Sequence, residues 1–133
     1  MPRLMILVAA SVLVLGAGAG FGGNQWLARD RIAAKAVAMT GGDPDRGRAG
    51  IRRRGCGGCH QIPGVFGAKG SVGPPLTRFA TRVYIAGRLN NTPDQLTTWI
   101  GHPHGVDPKT AMPEMGIGAA EARDIAAYLY TLQ

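Results

Sequence analysis

Cys56 and Cys59, the two cysteines of the chain, stand three positions apart, and His60 follows the second one. Thiols at this spacing can exchange electrons as a dithiol, hold a metal ion with other ligands, or attach a prosthetic group. A redox dithiol needs a cysteine at the start of a helix that follows a strand, but the segment before Cys56 has a helical pattern. A zinc site needs two well-spaced ligand pairs, and His102 and His104 are too close together to form the second pair. Both of these interpretations are weak.

Covalent haem attachment accounts for the histidine as well as for the thiols. C-x-x-C-H is the known attachment signal for c-type haem. A tight turn through Gly57 and Gly58 directs both sulfurs toward the vinyl groups on one porphyrin edge, and it brings His60 under the iron. A ligand for the opposite face has to come from further along the chain, where Met112 and Met115 lie in a proline-bounded loop. The motif therefore predicts one covalently bound haem.

Helix signals lie on both sides of this motif. Asp43 predicts the start of a first helix and Gly55 predicts its end, while Thr92 predicts the start of a second helix. Apolar residues at three- and four-residue steps over 119–132 predict a third helix. Residues 61–91 are rich in Gly and Pro and predict loops without a convincing strand. The predicted fold class is therefore all-α with long loops.

An uncharged apolar stretch covers residues 4–23 and is just long enough to cross a bilayer as a helix. It fits an export signal with small residues at 17–19 as a cleavage site, or an uncleaved anchor with Trp26 at the water interface. We expect the anchor. Glycines four positions apart in this stretch also fit contact with a partner transmembrane helix.

The length of 133 residues allows one small domain plus an appendage. We expect a membrane anchor or signal-anchor at 1–27, a partly helical linker at 28–42 and a haem domain at 43–133. Thr-Gly-Gly at 40–42 predicts a flexible joint before the haem domain. Only 6% of the residues are aromatic, which indicates that a cofactor supplies part of the core.

The formal net charge of +7 favours acidic partners. Nucleic acid is not expected, because the run Arg52, Arg53 and Arg54 is short and lacks interleaved aromatic residues and a binding motif. We expect these three arginines and Lys69 to flank the exposed haem edge and to guide the acidic surface of a redox partner. A solvated helix face is the alternative.

Residues 42–133 resemble the class I cytochrome c family. The resemblance rests on CGGCH at 56–60, GPPL at 73–76, LTTWIGHP and PKTAMP within 96–113, and DIAAYLYTL at 124–132. It implies thioether bonds from Cys56 and Cys59 to haem c and iron ligation by His60. It also implies that the Pro74 carbonyl accepts a hydrogen bond from His60 Nδ1–H, and that Leu76 packs on the porphyrin.

On the opposite haem face, the resemblance selects Met112 rather than Met115 as the second axial ligand. Tyr84 and Trp99 resemble pocket residues whose polar tips face a propionate or the ligand region, and plain core aromatics are the alternative. The implied fold is a small class I cytochrome c fold, with three main helices and long loops around one covalent haem, preceded by an N-terminal transmembrane helix. Gly47 and Tyr128 fit the small-against-aromatic contact where the first and last helices cross.

The function implied by the resemblance is electron transfer by a haem that cycles between Fe(II) and Fe(III). With His60 and Met112 on its two faces, the iron has no open position, so we expect an electron carrier and not an enzyme. The carrier would connect a quinol-oxidising complex or a dehydrogenase with a terminal oxidase, either freely or as a subunit of such a complex. The alternative is a haem enzyme subunit or sensor in which the Met112 position opens. His102 and His104 are candidate replacement ligands, although exposed loop histidines are the simpler interpretation.

The expected location is a bacterial inner membrane with the haem domain on the periplasmic side, because this family receives its haem outside the cytoplasm. Arg29, Arg31 and Lys35 oppose this orientation by the charge rule.

Overall fold

The computed structural model describes residues 23–133. Residues 1–22, which hold almost all of the predicted membrane span, lie outside the described residues. Within 23–133, no helix is both long and apolar enough to cross a bilayer. The chain divides into two units, Met1–Ile32 and Ala33–Gln133. In the first unit, residues 23–32 are helical and Trp26 is exposed. The second unit holds the site and begins upstream of the predicted domain boundary at residue 43.

The second unit is mainly helices joined by long loops, as predicted, and its strands are very short. The helices are α1 (residues 33–40), α2 (Pro44–Arg53), α3 (Pro93–Gly101), α4 (Pro103–Val106) and α5 (Ala119–Tyr130). Both predicted N-caps are confirmed: the Asp43 carboxylate accepts bonds from the next helix N–H groups, and the Thr92 hydroxyl accepts one from Gln95. The short helix α4 begins at Pro103, which suits the first position of a helix, and its four residues are too few to show a hydrophobic period in the sequence.

Helices α2 and α5 cross at closest approach through Gly47. A Cβ atom on Gly47 would lie 1.9 Å from the Asp124 carbonyl oxygen, so only glycine fits this crossing. The predicted crossing is therefore present, but Gly47 faces the α5 backbone one turn before Tyr128. The Tyr128 hydroxyl itself donates to the Pro63 carbonyl at 2.6 Å, and burial raises the pKa of this phenol. Ile51, four residues after Gly47 on α2, is almost completely buried.

The predicted flexible joint at 40–42 is wrong, because these residues form a packed turn. Thr40 Oγ1 donates to the Ala36 carbonyl at 2.8 Å and accepts from the Gly42 N–H at 3.1 Å. Thr40 and Gly42 are buried, and a Cβ on Gly42 would lie 2.2 Å from the Arg123 carbonyl oxygen of α5. The end of α1 is thus fixed against α5.

The expectation of loops without a strand over 61–91 is wrong in one place. Strand β1 (Tyr84–Ile85) pairs antiparallel with β2 (Leu89–Asn90). Ala86 and Gly87 turn the chain with φ values of +51° and +67°. Strands of two residues are too short to show the alternation by which a strand is recognised in a sequence.

A half-buried amide ties the hairpin region to α5. Asn91 Nδ2 donates to the carbonyls of Phe79 at 3.1 Å and Arg82 at 3.0 Å, and its Oδ1 accepts from the Tyr130 hydroxyl at 2.9 Å. Burial raises the pKa of Tyr130 to about 12, so this hydroxyl stays protonated and able to donate. The Tyr130 ring also meets Phe79 edge-on, with 6.1 Å between ring centroids.

Candidate haem-binding site

The two thiols lie on one tight turn that follows α2. Gly55 adopts a φ of +68°, and residues Cys56–Gly58 form a short 3-10 helix. The N–H groups of Cys59 and His60 donate to the Cys56 carbonyl at 3.2 and 3.0 Å. This turn gathers the thiols and the imidazole into one segment, as the C-x-x-C-H motif predicts.

Burial raises the pKa of the Cys56 thiol. A redox dithiol works with a thiol whose pKa is lowered, so this environment does not suit one. Within 23–133, no group of three or more His, Cys, Asp or Glu side chains is close enough to hold a metal ion. The dithiol and zinc interpretations therefore gain no support from the structure.

His60 is oriented by a hydrogen bond to the GPPL segment. Its Nδ1 lies 2.7 Å from the Pro74 carbonyl oxygen, which is the predicted bond. Because a carbonyl only accepts, Nδ1 carries the proton in this contact and the Nε2 lone pair stays available for a metal. A Cβ on Gly73 would lie 2.4 Å from His60 Cε1, so the glycine leaves space for the ring. The backbone thus fixes both the tautomer and the position of the imidazole.

Residues 61–70 fold back onto the attachment turn. The Gly70 N–H donates to the Gly57 carbonyl at 3.0 Å, and a Cβ on Gly57 would lie 2.7 Å from that of Ala68. A bridge between Gln61 and Lys69 closes this loop. These contacts involve backbone and small side chains, so they hold the turn tightly.

The predicted pocket residues occupy two different environments. Cys56, Leu76 and Met112 are half-buried and all border the same apolar core, and Trp99 lies inside that core. Tyr84 is 60% exposed on β1, so the alternative that it is a core aromatic is wrong. The buried position of Trp99 fits both a pocket residue and a core aromatic.

The predicted methionine ligand lies in a loop that is fixed by polar contacts. The Met112 N–H donates to Thr110 Oγ1 at 3.2 Å. Further along, Glu114 Oε1 accepts from the His104 N–H at 3.0 Å, and the Met115 carbonyl accepts from Arg54 at 3.0 Å. His102 and His104 are both exposed, as the simpler interpretation of these residues expects.

Two of the four predicted docking residues take part in ion pairs within the domain. Arg53 lies 3.2 Å and Arg54 lies 2.6 Å from the Glu121 carboxylate of α5. Hydrogen bonds from these arginines lower the pKa of Glu121, and those to Glu121 raise the pKa of Arg54. Arg52 and Lys69 are exposed. Sequence reasoning missed the internal role of Arg54, because its partner is 67 positions away in the chain.

The residues present fit a covalent haem. Two thiols on one turn suit thioether attachment, and the His60 imidazole is oriented with Nε2 unused. The space above this ring is kept open by Gly73, and an apolar core borders Cys56 and Met112. The donor set combines an imidazole and a thioether, which are known axial ligands of c-type haem iron.

Comparison with known proteins agrees with this assignment. Residues 44–133 match the family model described as Cytochrome c. Over 90 residues the chain is 31% identical to cytochrome c oxidase subunit 2 of Alkalihalophilus pseudofirmus, an alignment that covers 67% of this chain and 25% of that subunit. No solved structure matches the chain significantly. With a family match that extends over most of its length and an attachment motif at 56–60, the chain belongs to the cytochrome c family and carries covalently bound haem c.

Proposed function

We propose that the domain transfers single electrons through a haem with His60 and Met112 as its two axial ligands. The haem, when bound, supplies a one-electron Fe(III)/Fe(II) couple. The observation that carries this proposal is the 2.7 Å contact from His60 Nδ1 to the Pro74 carbonyl, because it leaves Nε2 as the free donor of an oriented ring. This contact also increases the basicity of the imidazole.

Met112 supports the proposal as the candidate for the second ligand. Its side chain is half-buried at the edge of the apolar core, and its N–H is fixed by Thr110. A thioether ligand together with low-dielectric surroundings raises the reduction potential relative to a bis-histidine haem. A fully ligated iron suits electron transfer, because the same ligands are kept in both oxidation states.

The ligation is tested by comparing Met112→Ala with Met115→Ala. These methionines lie in the same loop and are both half-buried, so the second variant is a matched control. We expect the ferric charge-transfer band that marks sulfur–iron ligation to vanish only in Met112→Ala. Reduced wild-type protein should not bind carbon monoxide promptly at neutral pH. Prompt binding would favour the enzyme or sensor alternative, and loss of the band in Met115→Ala would reassign the ligand.

We further propose that the chain is held in a bacterial inner membrane by residues 1–27 and exposes the haem domain to the periplasm. The apolar stretch at 4–23 supports the anchor. Intact mass of the protein purified from membranes would report one haem and the presence of the N-terminal segment together. A measured mass that matches a chain beginning after residue 19 would contradict the anchor.

The relative named above is an oxidase subunit, so we propose that this domain exchanges electrons with a terminal oxidase or a quinol-oxidising complex. The exposed charges of Arg52 and Lys69 support steering of an acidic partner, whereas Arg53 and Arg54 already have Glu121 as their internal partner. Steering acts on encounter rates and weakens with salt. Oxidase turnover that stays constant from low to high ionic strength would contradict it.

A further inference from the structure

Arg54 connects the end of α2 with α5 and with the loop that holds Met112, which lie 67 and 61 positions further along the chain. It follows α2 directly and precedes the attachment turn by two positions. Its Nε and Nη2 donate to the two carboxylate oxygens of Glu121 at 3.2 and 2.6 Å, and its Nη1 donates to the Met115 carbonyl at 3.0 Å. The exposed fractions of the Arg54 and Glu121 side chains are 34% and 21%, so the contact is partly shielded from water.

The geometry of the guanidinium explains why one side chain can make all of these contacts. A planar fork that binds a carboxylate through Nε and Nη2 has its orientation fixed, which leaves Nη1 pointing away from the carboxylate. In this chain Nη1 meets the Met115 carbonyl, three residues after Met112. A lysine ammonium lacks this fixed fork and cannot hold both partners in the same way.

The loop around Met112 has few other anchors. Thr110 fixes its N-terminal side, Asp107 at its start pairs with Arg88 at 3.0 Å, and Glu114 joins it to the backbone of α4. Its C-terminal side turns through Gly116, with a φ of +61°, into the buried Ile117. Among the hydrogen bonds found within 23–133, the one from Arg54 is the only one that joins this loop to the residues around the attachment turn.

We propose that Arg54 is a positioning residue for the methionine ligand. Held by Glu121, it ties the Met112 loop to the segment that carries Cys56, Cys59 and His60, and it limits how often Met112 leaves the iron. Loops with few buried contacts open locally without global unfolding, so one charge-assisted hydrogen bond is enough to change the open fraction. This inference rests on the proposed His60 and Met112 ligation.

Imidazole binding to the ferric haem-loaded protein measures the open fraction. Added imidazole competes for the iron only when Met112 has left, so its apparent affinity rises in proportion to the open population. We expect Arg54→Gln to bind imidazole about tenfold more tightly than wild type, which corresponds to about 1.4 kcal/mol. The reduction potential should fall, and the sulfur–iron band should weaken at lower temperature than in wild type.

Arg46→Gln is the matched control. Arg46 also joins α2 to α5, through contacts of 2.8 and 2.9 Å with Asp124, but the Asp124 carboxylate that it binds lies outside the Met112 loop. We expect Arg46→Gln to lower the free energy of unfolding while the imidazole affinity stays at the wild-type value. An equal rise in imidazole affinity in both variants would attribute the effect to global stability and would overturn the proposal.

A conservative variant tests the fork itself. Arg54→Lys keeps the positive charge, and we expect its imidazole affinity to rise toward that of Arg54→Gln. An imidazole affinity equal to that of wild type, in Arg54→Lys or in folded Arg54→Gln, would overturn the positioning role of Arg54. The underlying ligation has a separate readout: a sulfur–iron band that persists in Met112→Ala would reject the proposed function and not the role of Arg54 in holding the loop.

Discussion

Gly47→Ala should destabilise the domain although alanine is the better helix former. Ala is favoured over Gly in a helix interior by about 1 kcal/mol. The new Cβ would lie 1.9 Å from the Asp124 oxygen, 2.5 Å from the Asp124 carbonyl carbon and 3.0 Å from Ile125 Cα. Real Cβ contacts essentially never fall below 3.0 Å, so α2 has to move away from α5 by about 1 Å. Because the opposing atoms are backbone, no rotamer change can relieve the contact.

The expected magnitude follows from these opposing effects. Overpacking in a well-packed core costs about 1–3 kcal/mol, and contacts with fixed backbone belong at the upper end of that range. When the gain in helix propensity is subtracted from this overpacking cost, we expect Gly47→Ala to lower the free energy of unfolding by about 2 kcal/mol.

Gly50→Ala is the matched control, because it makes the same change one turn later in α2. Its new Cβ would meet side-chain atoms, Glu121 Oε1 at 3.3 Å and Ile125 Cγ1 at 3.4 Å, which can shift slightly. We expect Gly50→Ala to change stability by less than about 1 kcal/mol in either direction. Urea denaturation of the haem-loaded variants measures both values, provided that their m-values agree. A Gly47→Ala variant at least as stable as Gly50→Ala would refute the packing argument.

Three further predictions concern single contacts. Tyr130→Phe removes the hydroxyl that donates to Asn91 and should lower the free energy of unfolding by about 1 kcal/mol in urea, without changing the haem spectrum. A hydrogen bond from Arg46 lowers the pKa of Asp124 in the folded state. The stabilisation that Asp124 contributes is therefore full above its unfolded pKa of about 3.9, and it is lost as the pH falls through the folded pKa. Asp124→Asn should therefore flatten the loss of stability in acid, and an unchanged slope would contradict this. Gly73→Ala places a Cβ 2.4 Å from the His60 ring and should increase the high-spin fraction of the ferric spectrum, whereas a wild-type spectrum would show that the ring has room to move.

Features governed by neighbours in sequence were predictable. The N-caps Asp43 and Thr92 act on N–H groups two or three positions ahead, so their side-chain chemistry is sufficient to place two helix starts. The C-x-x-C-H turn is equally local. Asn91 and Arg54 gave no comparable signal, because their partners on α5 lie 39 and 67 positions away. Such contacts depend on how the helices cross, which hydrophobic periodicity does not specify.

Aromatic residues show the same limit of prediction from sequence. Trp99 is buried, and it lies on a helix whose apolar spacing marks the inner face. Tyr84 and Phe66 lie in segments without such a period, and their exposed fractions are 60% and 99%. A large apolar side chain in an irregular loop has no neighbouring pattern that indicates which way it faces, so its residue type alone was a poor guide to burial.

The two proposed ligands, His60 and Met112, are held by different kinds of contact, and this difference predicts which of them leaves the iron first. His60 lies against Gly73 and is bonded to Pro74, and the turn that carries it is packed closely against Ala68 and Gly70. The Met112 loop is joined to the rest of the domain by side-chain contacts of Arg54, Glu114 and Asp107, and Arg54 is one third exposed to water. Contacts of this second kind exchange with water at a small cost in free energy. With the proposed ligation, ligand exchange should therefore begin at Met112 while His60 stays bound, so the proposed electron carrier depends more on the anchors of its Met112 loop than on its attachment turn.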